Sequence, residues 1–271
     1  MTRVLITGVR GKTGAPLADR LARGGEVEVL GGSSDPSRVA IDGVRPTVFS
    51  WDDESGWPAA TAGVDAVYVV RPDRPDAPEL IAALAATTPA DAHLVLLSGQ
   101  EAGPSVRDGW ALRAERAVRE SGRRWTVLRP SWFMQVFLDP RFYRNQVEAG
   151  QLPFSSGGAR VAWIDARDIA AVAERVILDE GHEGRIHALS GPEAVTLPDT
   201  AQLLSRAVGR PIAHVELSIE NALRGTDGFE RRLLKTTLER LHAGVYAEVT
   251  DTVERVTGRP ARRLEMLLAT S

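Results

Sequence analysis

The stretch from Val4 to Leu21, VLITGVRGKTGAPLADRL, constrains this chain more than any other. An apolar run, Val4-Leu5-Ile6, is followed by Gly8, Gly11 and Gly14 at three-residue spacing, and Leu17, Ala18, Leu21 and Ala22 then recur with helical period. This order predicts a strand, a glycine loop and a helix. Gly8 would make the tight turn out of the strand, Gly11 would let backbone approach a pyrophosphate, and Gly14 would let the helix pack closely on the strand. The helix N-terminus presents N–H groups and a partial positive charge to a phosphate. Pro16 suits a first helical turn, and Gly24-Gly25 ends the helix. The expectation is a dinucleotide site; the alternative is a glycine-rich turn that binds nothing.

Where the second strand ends, the cofactor is chosen, because an acidic side chain there accepts hydrogen bonds from the adenosine ribose. Val27 to Leu30 reads as that strand, and Gly31-Gly32-Ser33-Ser34 follows it with no carboxylate. Ser33, Ser34, Arg38 and the loop residue Arg10 could bind a ribose phosphate, so NADP(H) is expected over NAD(H), although Asp35 is close by and Arg38 has an alternative as a solvated helix charge. Val44 to Phe49 reads as a third strand, followed by Trp51, which either meets adenine or packs.

A chain of 271 residues can hold a full α/β core with a smaller elaboration. Net charge is −3, with acids and bases interspersed, so nothing recommends nucleic acid or a membrane surface as partner. There is no cysteine, which removes disulfide scaffolds, thiolate metal ligands and cysteine nucleophiles. The histidines lack metal-like spacing, and no metal is expected. No apolar run is long enough to span a membrane, and the first strand begins almost at once, so a cytoplasmic protein is expected.

Ala66 to Val70 reads as a strand running into Arg71-Pro72-Asp73-Arg74-Pro75, whose prolines force a loop at the sheet's carboxyl edge, where open α/β sheets bind ligands. Val70 and Arg71 are therefore candidate cofactor contacts, and Arg71 and Arg74 are either rim charges for an acidic substrate or solvated loop charges. His93 to Leu97 predicts a fifth strand ending in Ser98-Gly99-Gln100, with Ser98 near the nicotinamide or simply a turn former. From Trp110 to Ser121, positions 110, 114, 117 and 118 form one helical face. Of Tyr68, Tyr143 and Tyr246, none is followed at the fourth position by lysine, so the Tyr-x-x-x-Lys pair of short-chain dehydrogenases is missing.

After the strand Trp125 to Leu128 come Arg129-Pro130-Ser131-Trp132-Phe133-Met134-Gln135 and later Trp163-Ile164-Asp165-Ala166-Arg167-Asp168-Ile169-Ala170. With the glycine loop, Ser190-Gly191-Pro192-Glu193, Gly209-Arg210-Pro211 and the tail from Val249 to Pro260, these blocks resemble the NmrA-like, atypical short-chain dehydrogenase family. That family includes azo-dye, triphenylmethane and quinone reductases and the ergot alkaloid reductases of the agroclavine dehydrogenase type, which the tail resembles most.

The resemblance implies a doubly wound parallel-sheet Rossmann domain over 1–152, with 160–190 returning to it, and a smaller α/β substrate-binding lid over 191–271. It places Arg10, Lys12 and Thr13 beside Gly8, Gly11 and Gly14 at the phosphates, Pro130 over the nicotinamide, and Trp132, Phe133 and Gln135 in the pocket wall. Trp110, Phe142 and Tyr143 would complete an aromatic pocket, with Tyr143 the one candidate proton donor. Asp165 reads as a helix cap more readily than as a catalytic group. The expected activity is NADPH-dependent hydride transfer to a conjugated or cationic small molecule, such as an iminium, quinone or dye, in secondary metabolism, by a monomer or homodimer. The alternatives are a non-catalytic redox sensor and a biosynthetic cyclase or isomerase.

Overall fold

In the computed structural model, residues 1–100 and 109–267 are described. A seven-stranded sheet carries the N-terminal part: β1 (Thr2–Ile6), β2 (Val27–Ser33), β3 (Val44–Val48), β4 (Ala66–Val70), β5 (His93–Leu97), β6 (Arg124–Pro130) and β9 (Arg185–Leu189), in the order β3-β2-β1-β4-β5-β6-β9. All pairings from β3 through β6 are parallel. The order reverses between β1 and β4, which is where a doubly wound sheet opens a crevice at the carboxyl ends of its strands. Helices α1 (Gly14–Gly24), α2 (Trp57–Thr61), α3 (Ala77–Thr87), α4 (Trp110–Arg119) and, later, α6 (Ala166–Leu178) flank it.

The period-2 alternation of the strands explains the layers. Leu5, Leu30, Val67, Val69, Leu94, Leu96 and Val127 join Leu80, Ile81 and Leu84 of α3 and Ala114 and Val118 of α4 in one buried cluster. Strand neighbours of opposite parity, such as Val4 and Ile6, are equally buried, as are Leu17, Ala18 and Leu21 of α1. Arg20 of α1 pairs with Glu174 of α6.

The second strand differs from the sequence expectation. It continues past Leu30 to Ser33, because Gly31, Gly32 and Ser33 stay in register with Pro46, Thr47 and Val48 of β3. Packing requires both glycines: a Cβ on Gly31 would stand 2.8 Å from Val44 Cγ1, and one on Gly32 would stand 2.9 Å from the Ile6 carbonyl oxygen.

The chain divides into two compact units, the first comprising Met1–Arg129 and Ile169–His187, the second Pro130–Asp168 and Ala188–Ser271. The segment 130–152 thus groups with the C-terminal part, whereas the sequence reading kept it with the first domain. The second unit contains α5 (Arg144–Glu148), β7 (Gln151–Phe154), β8 (Arg160–Val161), β10 (Val195–Thr196), α7 (Leu197–Val208), β11 (Ala213–Glu216), α8 (Ile219–Ala222), α9 (Gly228–His242) and α10 (Thr252–Thr257). The Thr196 hydroxyl caps α7 by accepting from Asp199 N, and Gly209, at φ 70°, terminates it. Among the described residues no helix is long and apolar enough to cross a membrane.

Candidate functional site

In the first unit the glycine loop is fastened to β4 before it turns. Thr7 N–H and its hydroxyl both donate to the Tyr68 carbonyl, and the hydroxyl accepts from Val70 N at 2.9 Å. Sequence reasoning missed this strut, which extends the β1–β4 ladder by a side chain. A Cβ on Gly8 would press on Val70 at 3.0 Å, and one on Gly14 would fall 2.1 Å from the Gly8 carbonyl oxygen, so both glycines are required by close approach. Gly11 differs: it is exposed, and an added Cβ would meet only the Gly8 carbonyl, at 3.1 Å. Its N–H donates to that carbonyl, closing the turn at 2.9 Å.

Helix α1 then starts with no acidic residue in its first turn and no side-chain cap from the buried Thr13. An open glycine in front of an uncapped, acid-free helix N-terminus fits a pyrophosphate. Arg10, Ser34 and Arg38 are exposed, and Lys12 is half-buried. Ser33 is buried, and its hydroxyl closes on the backbone of Asp35, donating to the carbonyl and accepting from the N–H. Trp51 is half-buried and sits edge-on to Phe49 and Trp57.

At the carboxyl end of β4, Val70 packs under Gly8 and the Arg71 guanidinium lies 4.2 Å from the Trp110 ring centre. Trp110 Nε1 donates to the Arg74 carbonyl, while the Arg74 guanidinium binds Asp52, Asp76 and the Trp51 carbonyl. Arg74 is therefore a loop clamp. Tyr68 lies fully buried in β4, and burial pushes its phenol far above the ordinary value, which makes it a core residue.

Ser98, just past β5, is 7% exposed and donates its hydroxyl proton to Glu115 Oε1 at 2.7 Å. Glu115 is 1% exposed and held bidentately by Arg129, at 2.9 and 2.6 Å. The buried face of α4 is Ala111, Ala114, Glu115 and Val118, so the sequence reading of 110, 114, 117 and 118 missed the one carboxylate on it. An acidic residue at helical spacing with three small or apolar ones was the available signal.

In the second unit Pro130 and Ser131 are buried, and Ser131 N donates to the Leu189 carbonyl. Trp132 stacks between Trp163 and Tyr246, at 5.9 and 5.4 Å between ring centres, and meets Phe154 edge-on. Phe133 bridges to Ile164. Gln135 uses both ends of its amide internally, donating to Asp165 Oδ1 and accepting from Ala166 N. Asp165 also accepts from Arg167 N at 2.8 Å, the N-cap role expected of it. Burial acts to raise its pKa, but the bonds from Arg167 and Gln135 hold it below the usual value. Phe142 is 47% exposed, and Tyr143 packs on Phe154 and Phe137 with its phenol pushed up by burial. The structure thus brings Trp132 and Tyr143 into one aromatic core and leaves Phe142 on the surface.

The chain is similar to known proteins over nearly its whole length. The NAD(P)H-binding family matches residues 8–180, and the NmrA-like family matches residues 111–265. A (4-alkanoyl-5-oxo-2,5-dihydrofuran-3-yl)methyl phosphate reductase of Streptomyces griseus is 35% identical over 268 residues, covering 96% of this chain and 94% of that protein. An NAD(P)H azoreductase of Xenophilus azovorans is 39% identical over 216 residues, 76% of this chain and 74% of its own. The agroclavine dehydrogenase of Claviceps fusiformis is 30% identical over 278 residues, 96% of this chain and 93% of its own. The Escherichia coli NADPH-dependent quinone oxidoreductase QOR2, solved with NADPH, superposes with a TM-score of 0.82 at 22% identity, over 98% of this chain and 99% of that one.

Proposed function

Because the chain belongs to the NmrA-like family of NAD(P)H-binding proteins and is an NAD(P)H-dependent oxidoreductase, we propose that it reduces conjugated or cationic small molecules and handles simple ketones poorly. The observation that carries this reading is the Ser98 hydroxyl, whose proton is donated to the buried Glu115 carboxylate. Reducing an unactivated ketone leaves an alkoxide that needs a positioned acid. Ser98 donates elsewhere, and Tyr143 and Tyr68 are buried phenols with raised pKa values. An iminium, a triaryl cation, a quinone or a conjugated lactone is already electrophilic, so holding it in register with the hydride source suffices. The alkanoyl-dihydrofuranone in the name of the Streptomyces griseus relative belongs to this electrophile class.

In this reading Gly8, Gly11, Gly14 and the N-terminus of α1 hold the pyrophosphate, with Arg10, Lys12 and Thr13 around it and Val70, Arg71, Ser98 and Pro130 toward the nicotinamide. A reduced nicotinamide supplies hydride there. NADP(H) is the preferred form, and that preference rests on the exposed Arg10, Ser34 and Arg38, since the Ser33 hydroxyl is closed on Asp35. Trp132 and Phe133 remain the proposed aromatic wall, whereas Phe142 stands on the surface and Gln135 contributes by fixing the start of α6.

The test is NADPH oxidation measured against cyclic iminium salts, a triarylmethane dye, quinones, an alkylidene or alkanoyl butenolide, and unactivated ketones. Turnover confined to the activated acceptors is expected. Ketone turnover equal to the quinone rate overturns the reading, as does tighter binding of NADH than NADPH for the cofactor part.

A further inference from the structure

Gln100 is 4% exposed, and neither its Oε1 nor its Nε2 has a hydrogen-bond partner among the described residues. An unpaired buried polar group costs on the order of 1–3 kcal/mol, and native structures keep few of them. Gln100 stands three residues beyond the end of β5, which lies between β4 and β6, at the sheet's carboxyl edge. Ser98 stands at the same strand end but gives its proton to Glu115 and can therefore only accept from a ligand. Of these two side chains, only the Gln100 amide has N–H groups to offer.

We propose that Gln100 Nε2 is the donor that holds the acceptor's oxygen as negative charge develops on it during reduction of a quinone or conjugated carbonyl. The assignment rests on the reductase reading above. In that reduction the hydride and its electron pair form the new C–H bond, the conjugated π pair moves onto oxygen, and water supplies the proton that completes the product. An amide N–H stabilises such an oxyanion without giving up a proton, as oxyanion-hole asparagines and glutamines do. Gln100 is thus a catalytic residue for oxygen-bearing acceptors and contributes nothing to a cationic dye, whose reduction leaves no oxyanion.

Two readouts independent of turnover test this. First, replacing an unpartnered buried amide by an apolar isostere is neutral or stabilising, so Gln100→Met and Gln100→Leu melt at or above the wild-type temperature without ligand. A clear drop in both overturns the assignment, because it means the amide is a structural element. Second, 4-nitrophenolate serves as a stable oxyanion probe for the full chain with NADP bound. Wild type shifts its absorbance band to shorter wavelength; Gln100→Met abolishes the shift and weakens binding about 10-fold, and Gln100→Glu, which sets a carboxylate against the oxyanion, weakens it further. An unchanged shift and affinity in Gln100→Met overturns the proposal. In turnover, Gln100→Met lowers kcat/KM for quinone about 10²–10³-fold and leaves the cationic dye within two-fold; equal losses on both acceptors overturn it. A Gln100-dependent nitrophenolate shift in a protein that reduces no acceptor would sustain the oxyanion donor and defeat the reductase reading alone.

Discussion

Gly11 and Gly14 are three residues apart in one loop, yet the structure assigns their substitutions opposite consequences. A Cβ on Gly14 would stand 2.1 Å from the Gly8 carbonyl oxygen, where ordinary contact begins at 3.4 Å. Helix α1 would have to retreat by about 1.3 Å, the difference of those distances, and its apolar face, Leu17, Ala18 and Leu21, is fully buried. Displacement on that scale in a packed core costs roughly 3 kcal/mol, more than the ~1 kcal/mol of helix propensity that alanine gains over glycine. The net loss is about 2 kcal/mol, so at about 2–4 °C per kcal/mol for a chain of this size Gly14→Ala melts about 4–8 °C below wild type. The same atom on Gly11 stands 3.1 Å from its one neighbour, needs a shift of about 0.3 Å, and otherwise points to open space. Gly11 has no positive φ, so a β-carbon there incurs no backbone strain. Gly11→Val therefore melts within about 2 °C of wild type, while its side chain occupies the space proposed for the pyrophosphate and weakens NADPH at least about 100-fold, roughly 2.7 kcal/mol. Differential scanning fluorimetry with and without NADPH reads both effects. Unchanged NADPH affinity in a folded Gly11→Val protein refutes the cradle, and a wild-type melting temperature for Gly14→Ala refutes the packing argument.

Arg129→Met removes both bonds to the buried Glu115 and leaves its charge uncompensated, so it destabilises by about 3–5 kcal/mol. The pair Arg129→Met with Glu115→Leu recovers most of that loss in urea unfolding, and no recovery would show that Glu115 is held by other means. Thr196→Ala deletes the cap of α7 and costs about 1 kcal/mol, which a Thr196→Ser variant restores. Glu216 governs acid stability. Burial acts to raise its pKa, but the Ser156 hydroxyl, Gly157 N–H, His214 and Ser156 N–H hold it at about 2, below the ordinary 4.5. Its contribution is complete above pH 4.5 and is lost as pH falls toward 2, so urea midpoints across that window fall less steeply in Glu216→Gln than in wild type.

Local signals were legible wherever chain-neighbour geometry alone sets the conformation. The glycine loop and the helix ended by Gly25 at φ 72° follow from short-range rules, and each stands where the sequence places it. The end of β2 was not legible, because Gly31 and Gly32 look like a turn in isolation. Val44, Ile6 and Phe49 leave no room for a side chain there, and those neighbours come from β3, β1 and the residue after β3. The hydrogen bonds of Gln135 were illegible for the same reason, because its partner Asp165 lies 30 residues further along the chain.

The residues least visible in the sequence sit where polarity and burial disagree, and this is a physical regularity. Periodicity arguments classify a helix face by its apolar members, so Glu115 on the Ala111, Ala114 and Val118 stripe registers as noise. A carboxylate survives at 1% exposure only if charge and hydrogen bonds replace its water, and Arg129 from β6 and Ser98 from the end of β5 supply them. Those suppliers lie 14 residues further along and 17 residues earlier in the chain, beyond any local window. The consequence reaches chemistry: once Glu115 takes the Ser98 proton, the strand end that offers a hydroxyl in the sequence presents lone pairs in the fold. Glu115 Oε1 accepts from both Ser98 and Arg129 Nε, so the pair Glu115→Leu with Arg129→Met removes the acceptor of the serine proton without stranding a charge. The serine proton is then released toward ligands, so unactivated ketones gain a donor, and ketone turnover rises relative to that of a cationic dye. A ratio unchanged from wild type in a folded Glu115→Leu, Arg129→Met protein would refute the role given to this hydrogen bond.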